Sequence, residues 1–293
     1  MTYLKKREKC DLCGSGPENF KLLYDLGDFK ILKCKNCSLV FRDIILKNQQ
    51  IKDDLYNSNY FLIEQNHYFF EHQKIKVEDF KKRLEEIEKV SNQKGKILDI
   101  GCGLGSFLKV AHEAGFEVFG QDVSNFCASQ IKNNMNINIF EGFLEELNLT
   151  KNFFDVVTLW DVIDHSEEPS KLLKEIYRVL KPGGLVVIQT DMEDSLMYCL
   201  ADLIYMMSGG RLKSFIKKGH PIHHSTFYSL RTLKKALNLA GFEVIKEKRV
   251  TFPVELVSVR QKNLFSRLSY DIIDFLGNLI KRPLEGIVYA RKK

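Results

Sequence analysis

Lys96-Ile-Leu-Asp-Ile-Gly-Cys-Gly-Leu-Gly-Ser-Phe-Leu108 reads as a buried strand, a glycine-rich turn and the start of a helix. Gly101, Gly103 and Gly105 carry no Cβ, so the chain can turn sharply and let a nucleotide-like ligand lie against bare backbone. Asp99 lies at the strand's end, where a carboxylate can grip a cationic amine. A glycine turn alone is common to many mononucleotide folds, so the sequence that follows has to decide between them. The next apolar run, Phe116-Glu-Val-Phe-Gly-Gln-Asp122, ends in an acid about 20 residues past the turn, where a doubly wound fold places a carboxylate on ribose hydroxyls. Then come Asn136-Ile-Asn-Ile-Phe140, Phe153-Phe-Asp-Val-Val-Thr-Leu-Trp160, a helix over 170–180, the turn Lys181-Pro-Gly-Gly184 and the strand Leu185-Val-Val-Ile-Gln-Thr190. Strands alternating with helices predict an α/β fold whose mostly parallel sheet is covered on both faces.

Four ordered stretches give this chain a family resemblance: Leu98-Asp-Ile-Gly-Cys-Gly-Leu-Gly105, Gly120-Gln-Asp-Val-Ser124, Asp161-Val-Ile-Asp-His165 and Leu180-Lys-Pro-Gly-Gly184. In order and spacing they resemble the class I S-adenosylmethionine-dependent methyltransferases, over roughly residues 91–293. A dinucleotide-dependent dehydrogenase would want glycine where Ser106 stands. The resemblance implies a Rossmann-like, seven-stranded sheet and roles for particular residues. Asp99 and the backbone of Gly101, Cys102, Gly103 and Gly105 would hold the methionine part of the cofactor. Asp122, followed by Val123, would accept hydrogen bonds from the ribose. Phe143 and Leu144 follow the third strand, where the family contacts adenine. The usual acid is not evident there, since Gly142 precedes Phe143. Trp160 and Asp161 end the fourth strand, facing the methyl-transfer site. A core aromatic is an equal reading of Trp160.

The chain has 293 residues, 44% hydrophobic and 28% charged, enough for one large domain and a small one. A net charge of +6 permits an anionic partner without demanding one. The Lys- and Glu-rich N-terminus has no apolar core of a signal peptide. No apolar run reaches the roughly 18–20 residues of a membrane-spanning helix. A cytoplasmic protein is the expectation.

Cys10-Asp-Leu-Cys13 and Cys34-Lys-Asn-Cys37 have the spacing of a four-thiolate zinc site. Such a small region has too little core to stand alone, so a metal staple makes physical sense. With all four positions filled by cysteine, the zinc is expected to be structural. Cys102, Cys127 and Cys199 read as buried small residues. The expected organisation is a zinc ribbon at 1–45, an aromatic and helical linker covering the cofactor at 46–90, and the methyltransferase domain at 91–293 with insertions at 191–226 and 257–285. A ribbon ahead of this domain resembles zinc-ribbon methyltransferases of sugars and other small molecules in polysaccharide and secondary-metabolite pathways. Cys34-Lys-Asn-Cys-Ser-Leu-Val-Phe41 and Pro221-Ile-His-His-Ser-Thr-Phe227 carry that resemblance.

In the linker, Tyr56, Tyr60, Phe61, Tyr68, Phe69 and Phe70 mostly read as packing aromatics, with Tyr56, Tyr60 and His67 within reach of the acceptor. An amphipathic helix is expected over 74–90. Methyl transfer from a sulfonium needs mainly positioning and exclusion of water. A base helps where the acceptor is a hydroxyl or an acidic C–H. The candidate catalytic residues are His223, Asp161 and His165, with Asp164 nearby. His165 reads first as a structural contact beneath the cofactor and only second as a base, while for His223 the two readings are even. His220 and His224 read as exposed loop histidines. The insertion at 191–226 should form a lid, apolar over 196–207, with Arg211, Lys213, Lys217 and Lys218 suited to a phosphate-bearing acceptor such as a nucleotide sugar or lipid-linked glycan. The apolar segment 263–284 reads as a homodimer surface, a membrane-facing patch or a lid element.

Three functions compete: a small-molecule methyltransferase, a zinc-ribbon RNA methyltransferase, and a cofactor-binding scaffold without turnover. Against RNA, the fourth-strand exit is Trp160-Asp161-Val162, not the Asn/Asp-Pro-Pro-aromatic motif of adenine methylation, and the ribbon is not strongly basic. The intact glycine turn, Asp99 and Asp122 argue against a scaffold that has lost its cofactor.

Overall fold

The computed structural model describes residues 4–47, 73–91, 94–135, 137–251 and 264–293. The aromatic stretch of the linker, with Tyr56, Tyr60 and His67, lies outside them.

Alternating apolar runs build a seven-stranded sheet. Its strands are β6 (Lys96–Ile100), β7 (Glu117–Asp122), β8 (Asn138–Glu141), β9 (Phe154–Trp160), β10 (Leu180–Asp191), β12 (Phe242–Val250) and β13 (Glu285–Lys292), in the order β12-β13-β10-β9-β6-β7-β8. Pairings from β10 through β9, β6 and β7 to β8 are parallel, while β13 runs antiparallel to both β10 and β12. The Lys181-Pro-Gly-Gly turn is a register irregularity inside β10 rather than a break before it. Lys181 Nζ lies 2.7 and 2.8 Å from the two carboxylate oxygens of Asp155, which also accept from the Lys96 amide, so three strands start in register.

The period of two along β9 divides the core. Val157 and Leu159 face one side, joined out of period by Phe154 at the strand's start, with Leu172, Leu173 and Ile176 of α4 (Pro169–Val179) and Leu233 and Leu237 of α7 (Leu230–Leu239). Val156 and Trp160 face the other, with Leu84 and Ile87 of α1 (Gln73–Ser91) and Phe107, Leu108 and Ala111 of α2 (Ser106–Glu113). Burial of both faces explains why the central strands are apolar almost throughout. Helix α3 (Asn125–Met135) connects β7 to β8.

The four-cysteine region is not a separate bead. Its strands β2 (Phe20–Asp25), β3 (Lys30–Cys34) and β4 (Val40–Arg42) form a sheet completed by β11 (Thr226–Phe227) from the far end of the chain. β11 pairs antiparallel with β4, Thr226 opposite Phe41 and Phe227 opposite Val40. Beside this sheet, β1 (Leu4–Lys6) pairs with β5 (Ile44–Leu46). Cys10, Cys34, Cys37, Leu39 and Phe41 share one core cluster with α4 and β9. The insertion at 191–226 also docks here. Ala201 and Tyr205 of α5 (Leu196–Met207) and Ile216 of α6 (Lys213–Gly219) pack on Tyr24, Leu26 and Ile31. The expected lid is thus anchored on the ribbon. Met206 and Met207 remain exposed, as do Phe275 and Leu279 of α8 (Leu264–Leu279). Among the described residues no helix is long and apolar enough to cross a membrane.

A buried ion network seals this junction. Glu167 receives Arg42 on one oxygen and Arg7, at 3.4 Å, on the other. Ser225 Oγ accepts from Arg7 at 2.7 Å and donates to Glu167 at 3.1 Å. Removing the central acid leaves two guanidinium groups buried and uncompensated. Glu167→Ala is therefore expected to cost about 3–5 kcal/mol, read from the urea midpoint, and a loss under about 1 kcal/mol would contradict this role.

Candidate functional site

The glycine turn is left-handed at three alternate positions, with φ of +64° at Gly101, +53° at Gly103 and +80° at Gly105. At Gly101 a side chain is also excluded sterically, since an added Cβ would come within 2.5 Å of Val162. At Gly103 an added Cβ would meet nothing within 4 Å, so that face of the turn is open. Gly105 caps α2 without a side-chain bond, leaving the helix's first N–H groups to a ligand of negative charge.

Asp99 is buried, and Thr158 Oγ1 donates to it at 2.7 Å from the neighbouring strand. Burial pushes its carboxyl up to about 8; the Thr158 hydrogen bond offsets part of this, and nearby Asp122 adds repulsion. A carboxyl so desolvated, with one hydroxyl for company, fits a cationic ligand. Asp122 is buried too, its carboxyl raised by burial but held by the amides of Gly103 and Ser124 at 2.8 Å each. Gln121 ties the site together in a way the sequence did not reveal. Its side-chain oxygen accepts from Gly101 N at 3.3 Å, and its amide nitrogen donates to the carbonyl of Gly142. The turn and the loop carrying Phe143 are thereby clamped to each other. Of the two residues expected near adenine, Phe143 keeps some exposed surface, while Leu144 is buried in the core. Cys102 is buried, its thiol pushed well up by burial. Val123 is half-buried beside Asp122.

At the exit of β9, Asp161 takes a left-handed φ of +56°, an uncommon conformation for a residue with a side chain. The turn it starts brings Val162 against Gly101. The Trp160 ring packs at a tilt against Phe80 and Phe107, at 5.7 and 5.1 Å between centroids, so its ring is core. Its indole nitrogen is nonetheless buried without a hydrogen-bond partner. The ring contacts are those of the core-aromatic reading.

The structure brings His165 and His223 together and adds His224. The rings of His165 and His223 stack at 5.3 Å, and His224 stands edge-on to both at 4.6 and 4.8 Å. Buried Asp164 lies beneath, 3.3 Å from His224 Nδ1. Ser225 N donates to the Asp164 carbonyl at 2.7 Å, and Arg42 N to the Ser225 carbonyl at 3.0 Å. The ribbon strand therefore holds the histidine pair against the β9 exit. The expectation of exposed loop histidines is overturned at two positions. His224 belongs to the cluster, with its side chain 14% exposed. His220 is buried among Tyr24, Tyr198 and Phe227, and burial lowers its pKa to about 4, so it is neutral. Tyr24 of the ribbon joins Tyr198 and Phe227 in burying His220, and contacts with His165 and His223 place His224; no local sequence signal encodes either packing.

The four ribbon thiols converge, with Cys10 and Cys37 sulfurs 3.4 Å apart and Cys13 and Cys34 sulfurs 3.5 Å apart, all four within 4.8 Å of one another. Sulfurs bound at about 2.3 Å around a tetrahedral zinc lie about 3.8 Å apart, so the donor set fits. After each knuckle the chain turns left-handed, at Gly14 and at Ser38.

A seven-stranded sheet with one antiparallel strand, a glycine turn after β6 beside the central strand and carboxylates closing β6 and β7 define the fold of S-adenosylmethionine-dependent methyltransferases. The family described as "Methyltransferase domain" matches residues 69–247, more than half of the chain, and the chain belongs to that family. A ubiquinone biosynthesis O-methyltransferase of Coxiella burnetii is 32% identical over 114 residues, 37% of this chain and 49% of that protein. Phosphoethanolamine N-methyltransferase 1 of Zea mays is 29% identical over 219 residues, 70% of this chain and 39% of that protein. The chain thus spans about half the length or less of these curated relatives. In fold it is similar to a SAM-dependent methyltransferase from Archaeoglobus fulgidus, with a TM-score of 0.52 at 22% identity over 77% of this chain and 99% of that one.

Asp99 yields a pH dependence. Its carboxyl is raised to about 8, so the folded protein keeps a proton that the unfolded chain releases at about 4. Stability therefore falls as pH climbs through that window. A ligand ammonium pairs only with the ionised form. S-adenosylmethionine affinity is expected to rise from about pH 6 to about 7.5, by up to about tenfold per unit, and Asp99→Asn should abolish the slope. A flat wild-type profile in calorimetry would contradict the pairing.

Proposed function

We propose that this protein transfers a methyl group from S-adenosylmethionine to a small-molecule acceptor, and that the acceptor is a sugar, nucleotide sugar or glycan precursor. The observation that carries this reading is the histidine cluster of His165, His223 and His224, set over Asp164 at the β9 exit whose Val162 packs on the glycine turn. In this reading Asp99 holds the cofactor's ammonium, and the turn from Gly101 to Gly105 with Cys102 lies along its methionine part. Asp122 and Val123 meet the ribose, and Phe143, with Leu144 behind it, flanks the adenine. The methyl donor is a sulfonium, already activated for in-line displacement. The chain's own work is to hold donor and acceptor in line and to keep water out. Trp160 walls the cleft below, and Asp161, His165 and His223 form the face where a hydroxyl acceptor would lose its proton.

Small-molecule acceptors are supported by the relatives, whose names point to ubiquinone biosynthesis and to phosphoethanolamine. The solvent-facing cations Arg211, Lys217 and Lys218 on the insertion favour an acceptor bearing phosphate. The ribbon thiols of Cys10, Cys13, Cys34 and Cys37 are proposed to hold a structural zinc, which leaves no coordination place for substrate.

Calorimetric titration of S-adenosylmethionine, followed by nucleotide sugars, phenols, amines and RNA fragments added to the complex, tests the reading. Asp122→Ala should weaken cofactor affinity on the order of tenfold to a hundredfold, the worth of hydrogen bonds to a charged group. A methyl group transferred to a phosphate-bearing sugar is the expected result. Transfer to RNA alone would replace this acceptor class, and failure of the folded protein to bind the cofactor would refute methyl transfer altogether.

A further inference from the structure

We infer that His165, His223 and His224 form a divalent transition-metal site, separate from the four-cysteine ribbon and open on one side to the acceptor. Each ring offers a nitrogen, and the three nitrogens lie within 4.8 Å of one another. Nitrogens bound at about 2.0–2.1 Å to a tetrahedral ion are about 3.4 Å apart, so an ion would draw the three nitrogens together and turn the His165 and His223 rings out of their parallel stack, because an imidazole lone pair lies in the ring plane. His165 and His224 come from different parts of the chain, yet the backbone already fixes them, through the Ser225 amide on the Asp164 carbonyl at 2.7 Å and Arg42 on the carbonyls of Ser225 and Ile222. Ligands on so rigid a frame lose little entropy when an ion binds.

Asp164 supplies the second, independent observation. It is 4% exposed, and its Oδ1 is buried with no hydrogen-bond partner. Its Oδ2 lies 3.3 Å from His224 Nδ1 and 3.8 Å from His165 Nε2. A carboxylate on the non-ligating nitrogen is how proteins orient a metal-binding imidazole and raise its basicity. Here it leaves His224 Nε2 as the ligating atom.

Imidazole donors select zinc, iron, nickel or copper over magnesium or calcium. Three protein ligands leave a coordination place for an exogenous oxygen. An ion there lowers the pKa of a bound hydroxyl, so the site selects an ionisable oxygen over an amine or a carbon acceptor. That role rests on the methyl-transfer reading above; binding of the ion does not.

The test is the full-length protein produced in cobalt-supplemented medium, analysed for metal content and by absorption. Two cobalt ions per chain are expected, one showing the thiolate-to-cobalt charge-transfer band of the ribbon and the other only weak d–d absorption of nitrogen and oxygen ligands. The double variant His223→Gln, His224→Gln should lose the second ion and keep the thiolate band, which also reports that it has folded. A wild-type protein holding one cobalt ion, or a second ion that survives in the double variant, would overturn the site. Titration of S-adenosylmethionine on the same samples separates the two proposals. A second ion without cofactor binding supports the metal site and sinks methyl transfer, whereas cofactor binding with one ion does the reverse.

Discussion

Glu167 sits in the interior with an arginine on each carboxylate oxygen, one from the start of the ribbon and one from its exit strand. Buried charge of this kind contributes little net stability, but it is intolerant of rearrangement, because each partner is costly once left alone. It therefore acts as a registration device. With Arg42 fixed, β4 lies where Thr226 and Phe227 can pair with it, and the residues just before that strand are held over the β9 exit. The ribbon thus contributes to the acceptor side by backbone pairing, while the three histidines of the cluster come from the rest of the chain.

That arrangement changes the meaning of the N-terminal region. A four-thiolate staple stabilises a small sheet that could not otherwise bury enough surface. Here Cys10, Cys34 and Cys37 share a core cluster with the main domain, so the small sheet is seated on that domain through its cysteine face as well as through β11. The insertion then follows, with Ile216 and Tyr205 packed on the ribbon's outer face. Cofactor cleft, histidine face and ribbon form one continuous stack of packed layers.

The main domain was legible because its signals are local. The run over 96–108 carries strand, turn and helix in thirteen consecutive residues, and β7 ends in Asp122 as the spacing requires. Helix α1 followed from periodicity within a residue or two of its limits, and α5 covers the stretch 196–207 singled out as apolar. The Lys181-Pro-Gly-Gly segment was read as a turn before a strand, but its Leu180 already pairs with Phe154. Contacts between distant segments were not legible. Nothing near Gln121 announces that its two ends clamp Gly101 and Gly142, and nothing near His220 or His224 announces burial. Proline, glycine and lysine around those histidines look like a solvated loop. Contacts with distant segments decide otherwise: Tyr24 and Tyr198 close over His220, and His165 packs edge-on to His224. Asp161 lies between these cases: its place at a strand end was legible, its left-handed backbone was not.

The most direct test of this account is backbone hydrogen exchange on the full chain with and without metal in the four-cysteine ribbon. The account predicts that stripping the metal deprotects residues 222–228, with β4, while the amides of β6 and β7 keep their protection. Unchanged protection over 222–228 in the stripped protein would contradict the claim that the ribbon holds the histidine face in place.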